Sequence, residues 1–274
     1  MSVSYHPGYG QPITIQPGAP NEFAHHQSQP PPGAQPIPAA HGLHWMPMPP
    51  PMHNVPPGLE YLTLIDHLVV VQKKELIEII TDWEMRNRYV IKNANGEQVY
   101  YAFEESGCCT RAFCGNQRGW IIHIEVLTLR RPFKYCASGG GACACTECCQ
   151  QECIVESPSG GFMGMIRQRR ACCVSAFTLT DSNGHEVFEI DGPMCMKMMG
   201  CQDKEFAVTS QDGATLGAVT KRWGGCFREA FTDADVFSVN FPMDLEVKMK
   251  GVILGATFLI DYMEFEQTQK KQTA

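Results

Sequence analysis

Thiols are the residues in this chain most able to do chemistry. Of fourteen cysteines, Cys143, Cys145, Cys148 and Cys149 fall within seven residues, directly after the flexible run Ser138-Gly-Gly-Gly-Ala, in what reads as an exposed loop. Cys145 and Cys148 have zinc-ligand spacing, since thiolates bind zinc at about 2.3 Å. A tetrahedral site needs a second pair, however, and Cys108-Cys109, Cys172-Cys173 or Cys195 with Cys201 would have to fold opposite. S-acylation is the stronger functional reading. Thiols on an exposed loop are within reach of an acyltransferase, and two or more acyl chains anchor stably where one holds only marginally, at about 0.8 kcal/mol per buried methylene. Cysteines outside the cluster read as small buried apolar residues.

A second constellation runs from Asp233 through Asp235, Phe237, Val239 and Phe241 to Asp244. Carboxylates at positions 1, 3 and 12 of a twelve-residue segment resemble a calcium loop, in which alternate oxygens converge on the ion. Ser238 stands where the sharp turn wants glycine, and Phe237, Val239 and Phe241 could offer only backbone carbonyls, so any affinity should be weak, on the order of 10⁻⁴ to 10⁻³ M. The same residues alternate apolar and polar as a strand does, and spacing alone leaves both readings open. A third feature, Lys221-Arg222-Trp223, could touch phosphates, lipid headgroups or an import receptor, although a basic strand end is the commoner meaning. The chain contains no G-x-S-x-G, H-E-x-x-H, P-loop or G-x-G-x-x-G, which argues against a hydrolytic, covalent or nucleotide-using enzyme.

These residues need a scaffold, and the turn dipeptides supply its outline. Asn95-Gly96, Asn183-Gly184 and Asp212-Gly213 each separate two apolar, β-branched runs, predicting three hairpins on type I′ turns. Further strand-like runs at Leu68 to Val71, Ile121 to Leu129, Met163 to Arg167 and Phe237 to Phe241 predict a mainly β fold, a largely antiparallel sheet that closes or packs on itself. One segment, 246–265, reads as helix, and its centre, Val252, Ile253, Leu254, Gly255, Phe258, Leu259 and Ile260, is apolar on every side. Ten such residues rise about 15 Å, against a hydrocarbon thickness of roughly 30 Å. Physics therefore favours a core helix threaded through a β-barrel over a short single-pass C-terminal anchor, and Gly251-x-x-x-Gly255 suits close packing in either setting.

Composition divides the chain. Residues 1 to 58 hold 15 of 19 prolines, six of nine histidines and one charged residue, Glu22, so 1–57 reads as a disordered proline-rich tail, 58–266 as one domain and 267–274 as a polar tail. Pro47-Met-Pro-Pro50 is a minimal PxxP that SH3 or WW domains could dock. The N-terminus lacks the basic and apolar regions of a signal peptide, so the thiols are expected to be cytosolic and reduced. A net charge of -7 argues against nucleic acid as the main partner.

In order along the chain, Pro57-Gly-Leu-Glu-Tyr-Leu-Thr-Leu-Ile-Asp, Cys108-Cys-Thr-Arg, Arg131-Pro, the Cys143 to Cys149 cluster with Gln151-Glu, Gly192-Pro, Arg228-Glu-Ala-Phe-Thr-Asp-Ala-Asp and Phe241-Pro-Met-Asp-Leu-Glu-Val-Lys-Met-Lys resemble the phospholipid scramblases over residues 57 to 266. The resemblance implies a tubby-like fold, a twelve-stranded antiparallel barrel around a hydrophobic C-terminal helix. It implies calcium-activated, ATP-independent, bidirectional movement of phospholipids between leaflets at the cytosolic face of the plasma membrane. It also implies S-palmitoylation at Cys143, Cys145, Cys148 and Cys149, and calcium at Asp233, Asp235, Phe237, Val239, Phe241 and Asp244. Two departures stand out. The nuclear-import segment at 217–225 has Ala218 at its first basic position, which argues against nuclear entry. The run from Gly119 to Arg130 lacks turn residues, which implies a rearranged strand pair or a shortened segment.

A single short helix offers headgroups no polar path across a bilayer, so transport would call for homo-oligomers or bilayer deformation. The other reading is a lipid-tethered barrel acting as a signalling adaptor through its proline-rich tail.

Overall fold

The computed structural model describes residues 44–73, 87–107, 114, 118–134, 149–171, 173–196, 199–224 and 235–266. A short turn of helix, α1 (Glu60–Thr63), leads into twelve strands: β1 (His67–Lys73), β2 (Arg88–Asn93), β3 (Gln98–Glu105), β4 (Trp120–Ile124), β5 (Leu127–Arg131), β6 (Glu152–Ser157), β7 (Gly161–Gln168), β8 (Ala176–Thr180), β9 (Glu186–Asp191), β10 (Lys204–Ser210), β11 (Thr215–Arg222) and β12 (Val236–Asn240). Each pairs antiparallel with its chain neighbour, and β12 returns to β1, with Val70 opposite Phe237, so the barrel is closed. Closure removes the unpaired edges that an open sheet of this size would expose. Inward residues alternate with outward ones, as in Leu68 and Val70 of β1 or Trp120, Ile122 and Ile124 of β4.

Inside runs α2 (Val247–Ile260), continued by a π-helical turn over Asp261–Phe265. Twelve of the fourteen α2 residues are buried. A helix apolar on all sides has no face to give to water, and a cylinder of strands buries every side at once. Gly255 permits the close approach: a Cβ there would lie 2.9 Å from Val155 Cγ2 and 3.2 Å from Leu129 Cδ2, so the glycine fits the helix against β5 and β6. Among the described residues no helix is long and apolar enough to cross a membrane, and the predicted alternative of a C-terminal membrane anchor is not the arrangement found.

The three predicted hairpins are present, but their turns are not type I′. Gly96, Gly184 and Gly213 have positive φ (80°, 84° and 79°), while the Asn or Asp before each does not. The Asn93 and Asp181 side chains accept from the backbone N–H two residues on, Asn95 at 3.0 Å and Asn183 at 2.8 Å, and hold that first stretch in a right-handed turn. A type I turn with a glycine bulge results, and the extra residue appears as a register shift that sets Lys92 opposite Gln98. The run from Ile121 to Leu129 is two strands. They turn over Glu125 and Val126 with no positive φ, so this hairpin is intact without a glycine.

The tail up to residue 43 and the polar tail 267–274 lie outside the described residues. Residues ahead of the compositional boundary at 57 already pair with the barrel: Gln98 N–H donates to His44 O at 2.8 Å, Met46 N–H to Gln98 O at 2.9 Å, and Trp45 bridges Gln98 in parallel.

Candidate functional site

A meander of twelve antiparallel strands sends its connections alternately to two ends. One end, the turn rim, carries the tight hairpins and the N-terminus of α2. The other carries every longer connection and the C-terminus of α2. Among the described cysteines only Cys153 sits in a strand; in sequence the other thirteen of the fourteen fall between strands that leave and re-enter the barrel at that second end, here termed the cysteine rim.

Cys143, Cys145 and Cys148 lie outside the described residues, in the connection between β5 and β6. Cys149 is described and is disulfide-bonded, contrary to the expectation of reduced thiols; in that state its sulfur cannot carry an acyl thioester. The reading of cysteines outside the cluster as buried holds for Cys153, whose thiol burial pushes up to about 12. It fails for Cys173, Cys195 and Cys201, which are exposed. Cys195 N–H donates to Cys173 O at 2.9 Å, with both residues at positive φ (50° and 62°). No cluster of three metal-binding side chains occurs among the described residues.

The segment 233–244 is largely a strand. Phe237 and Val239 are buried in the core, and β12 is paired on both sides, with β1 and with β11, so their carbonyls belong to the ladder. Phe241 is buried at the turn rim, where its ring lies 5.1 Å from Lys250 Nζ. Asp233 lies outside the described residues. Asp235 pairs with Lys221 beyond one end of β12, and Asp244 stands beyond the other. Five extended residues span about 17 Å, so these two carboxylates cannot share one ion in this fold.

Lys221-Arg222-Trp223 is the end of β11. Arg222 Nη1 meets Asp203 Oδ2 at 2.9 Å, and the Trp223 N–H donates to Asp203 Oδ1 at 2.8 Å, which holds that carboxyl below its ordinary range. Lys221 lies over the Phe237 and Phe265 rings.

Beneath the cysteine rim the apolar core gives way to a buried polar network that sequence reasoning did not find. Arg118, 1% exposed, donates from Nε to Glu104 Oε1 at 2.9 Å, and from Nη2 to Glu104 Oε2 at 3.2 Å and Glu266 Oε1 at 2.6 Å. Tyr89 OH donates to Asp261 at 3.0 Å, Asn87 Nδ2 to Tyr262 OH at 2.9 Å, and Ser175 Oγ to Glu264 at 2.5 Å. Arg131 forks onto Gln151 Oε1 at 3.1 and 2.9 Å. Burial works to raise the Glu104 carboxyl, yet hydrogen bonds and charge from Arg118 hold it below its usual value. Burial pushes Glu266 up to about 7 against the pull of Arg118, and brings Arg131 down to about 10.

The opposite end of α2 has one polar anchor. Lys250 Nζ, fully buried, donates to the carbonyls of Leu62, Ile65 and Met243 at 2.9, 2.8 and 2.7 Å. The helix is thus polar-latched at both ends and apolar between them.

Comparison with known proteins agrees with this architecture. A family model described as Scramblase matches residues 46–267. The chain is 44% identical over 238 residues to phospholipid scramblase 1 of Mus musculus, covering 84% of this chain and 70% of that protein. It is 42% identical over 235 residues to phospholipid scramblase 2 of Homo sapiens, covering 83% and 77%. It is 36% identical over 251 residues to phospholipid scramblase 4 of Homo sapiens, covering 88% and 74%. No solved structure matches significantly. The extent of the match, across the whole barrel and its core helix, means that this chain belongs to the phospholipid scramblase family.

Proposed function

We propose that this protein scrambles phospholipids, as its relatives' names describe, and that this movement between membrane leaflets is calcium-activated, ATP-independent and bidirectional, from an acyl-anchored position on the cytosolic face of the plasma membrane. The observation that carries this is the identity of 44% to a phospholipid scramblase across the barrel domain. The absence of a P-loop in the sequence agrees with independence from ATP, and the thiols gathered at one rim agree with acyl attachment on a single side.

Calcium does not fit the segment 233–244 as folded, because Asp235 and Asp244 lie at opposite ends of a strand paired on both sides.

The closed barrel favours a second reading as well. With α2 buried inside the closed barrel, the described residues offer headgroups no face of that helix, as suits a lipid-tethered adaptor. An adaptor role through Pro47-Met-Pro-Pro50 has to accommodate Pro49, which is buried, although Pro47 and Pro50 are exposed. Reconstitution separates the two readings. Purified protein in vesicles carrying a fluorescent phospholipid should expose inner-leaflet label to an external quencher faster with calcium than protein-free vesicles do. Equal rates with and without protein would refute the transport reading and leave the adaptor.

A further inference from the structure

The two polar latches of the core helix are not equally complete. At the turn rim, Lys250 Nζ donates to three carbonyls, one for each of its protons. At the other end three buried polar atoms in or beside the network have no hydrogen-bond partner: Glu266 Oε2, Trp120 Nε1 and Gln72 Oε1. Each belongs to a side chain that touches the network elsewhere. Glu266 Oε1 accepts from Arg118, the Trp120 ring packs on that of Tyr262, and Gln72 Nε2 donates to Asn87 Oδ1 at 3.0 Å. Unpaired buried polar groups cost stability, so the C-terminal latch is the weaker of the two. The last turn it holds is π-helical, Asp261–Phe265, a form that is rare and gathers at functional sites.

The charges at this end do not cancel either. Those facing Glu266 are Arg118, which precedes β4, Glu104 on β3, Arg131 on β5 and Asp261, whose carbonyl accepts the Glu266 N–H across the π-turn. Tyr89 on β2 and Tyr262 add two phenols that burial keeps neutral. Glu264 is tied to Ser175 Oγ, while Lys204 and Lys221, the latter paired with Asp235, lie over the adjacent Phe265 ring. Glu266 is 17% exposed, and Arg118, Arg131, Glu104 and Asp261 are each 4% exposed or less. With every carboxyl ionised, the two cations Arg118 and Arg131 would face the three carboxylates Glu104, Asp261 and Glu266. A surplus charge out of water is costly, and one bound proton removes it. Glu104 has both oxygens on Arg118, and Asp261 Oδ2 accepts from Tyr89. Of the three carboxyls, Glu266 is the one with a buried oxygen that no donor reaches, so its charged form is the least compensated.

We propose that Glu266 is a proton-binding switch at the cysteine-rim end of the core: with the proton bound the helix end stays latched on Arg118, and with the proton lost the turn from Asp261 to Glu266 detaches ahead of the rest of the helix. The switch stands whether or not the protein moves lipid. Burial, the largest influence, holds the Glu266 carboxyl up at about 7, with Arg118 pulling it down and Glu104 and Asp261 adding to the rise. A carboxyl raised in the folded state contributes stability that is fully present below its unfolded value and is lost as pH rises through the folded one. Alkali therefore favours detachment, and the response falls between pH 6 and pH 8.

Hydrogen exchange of the full chain, read by mass spectrometry and corrected for the intrinsic pH dependence of exchange, follows the detachment. Raising pH from 6 to 8 should lower protection of 261–266 roughly tenfold, the linkage of one proton, and leave 252–258 unchanged. Glu266→Gln keeps the shape of the neutral side chain and cannot ionise, so at pH 8 it should retain the protection that the wild type has at pH 6. Protection of 261–266 that ignores pH in the wild type, or a pH response that survives in Glu266→Gln, overturns the proposal. An equal loss over 252–258 also refutes it, because the whole core and not this latch would then be responding. The wild type gives a second reading that needs no variant: the Glu266 carboxyl carbon, followed by NMR, should titrate with a midpoint near 7. A midpoint below about 5, the ordinary carboxyl range, would overturn the switch.

Discussion

Replacing Arg118 by methionine, Arg118→Met, removes the cation that binds the polar network to the end of α2. Arg118 is 1% exposed and Glu104 is fully buried, so the variant leaves a carboxylate in the core without its partner and frees Glu266 as well. Breaking a buried pair from one side costs about 3–5 kcal/mol, much of it the uncompensated charge. At roughly 2–4 °C per kcal/mol for a domain of this size, melting should fall by roughly 10 °C. Trp120 is a natural reporter, because it is buried and its ring lies 4.8 Å from that of Tyr262 beside the network. The loss should depend on pH with a definite sign. In the native protein Glu104 is held below its ordinary value, so its pairing stabilises the fold above the unfolded carboxyl pKa and fades as pH falls through the depressed folded one. Without Arg118, burial, the largest influence on Glu104, is opposed only by neutral hydrogen bonds from Ser106, Tyr262 and the Asn87 N–H, so the carboxyl rises and protonation relieves the variant on acidification. The deficit measured by urea unfolding should therefore be larger at pH 8 than at pH 5. Adding Glu104→Gln should recover part of it, with a coupling of about 0.5–3 kcal/mol. A loss below about 1 kcal/mol, identical at both pH values, would refute the network as drawn.

Three further outcomes follow from the same structure. Gly255→Leu should cost about 1–3 kcal/mol or more by forcing side-chain atoms into Val155 and Leu129, read as a lower urea midpoint; an unchanged midpoint would mean the helix is not walled by β5 and β6. Changing Cys143, Cys145, Cys148 and Cys149 together to Ala should shift the protein from the membrane to the soluble fraction, and unchanged fractionation would count against acyl anchoring at this cluster. Calcium titrated calorimetrically to about 1 mM should give the same heat with the wild type as with Asp235→Ala, since the folded segment does not gather its carboxylates; heat lost in the variant would assign the ion there after all.

What the sequence made legible was whatever has a local cause. Asn-Gly and Asp-Gly pairs located three hairpins because glycine relieves the positive φ, although the Asn93 and Asp181 side chains selected a bulged type I turn over type I′ in two of them, and Ser210 stands at that position in the third. The length and uniform apolarity of 251–260 placed it in a core, since neither water nor a bilayer suits it. The Glu125–Val126 turn left no trace, because a two-residue turn without positive φ needs no special residue. The polar network was invisible for a different reason: Arg118 and Glu266 are 148 residues apart, and only barrel closure brings them together. Lys250, which nothing local singles out, is fully buried and held by the carbonyls of Leu62 and Ile65 before β1 and of Met243 in its own approach loop. For the candidate sites, cysteine spacing identified a cluster but not a rim, because the rim is a property of strand alternation and not of any single loop. The Asp233 to Asp244 spacing could not choose between loop and strand, and pairing with both β1 and β11 decided for the strand.

The central claim is that the apolar helix is the core of the barrel and stays out of lipid while the protein is attached to a membrane. Photoactivatable phospholipids in vesicles bearing the membrane-bound protein, followed by mass spectrometry of the crosslinked peptides, test it directly. The account predicts adducts on other peptides of the membrane-bound protein and none on Val252 to Ile260. Adducts along Val252, Leu254, Phe258 and Leu259 would show the helix in the bilayer and contradict it.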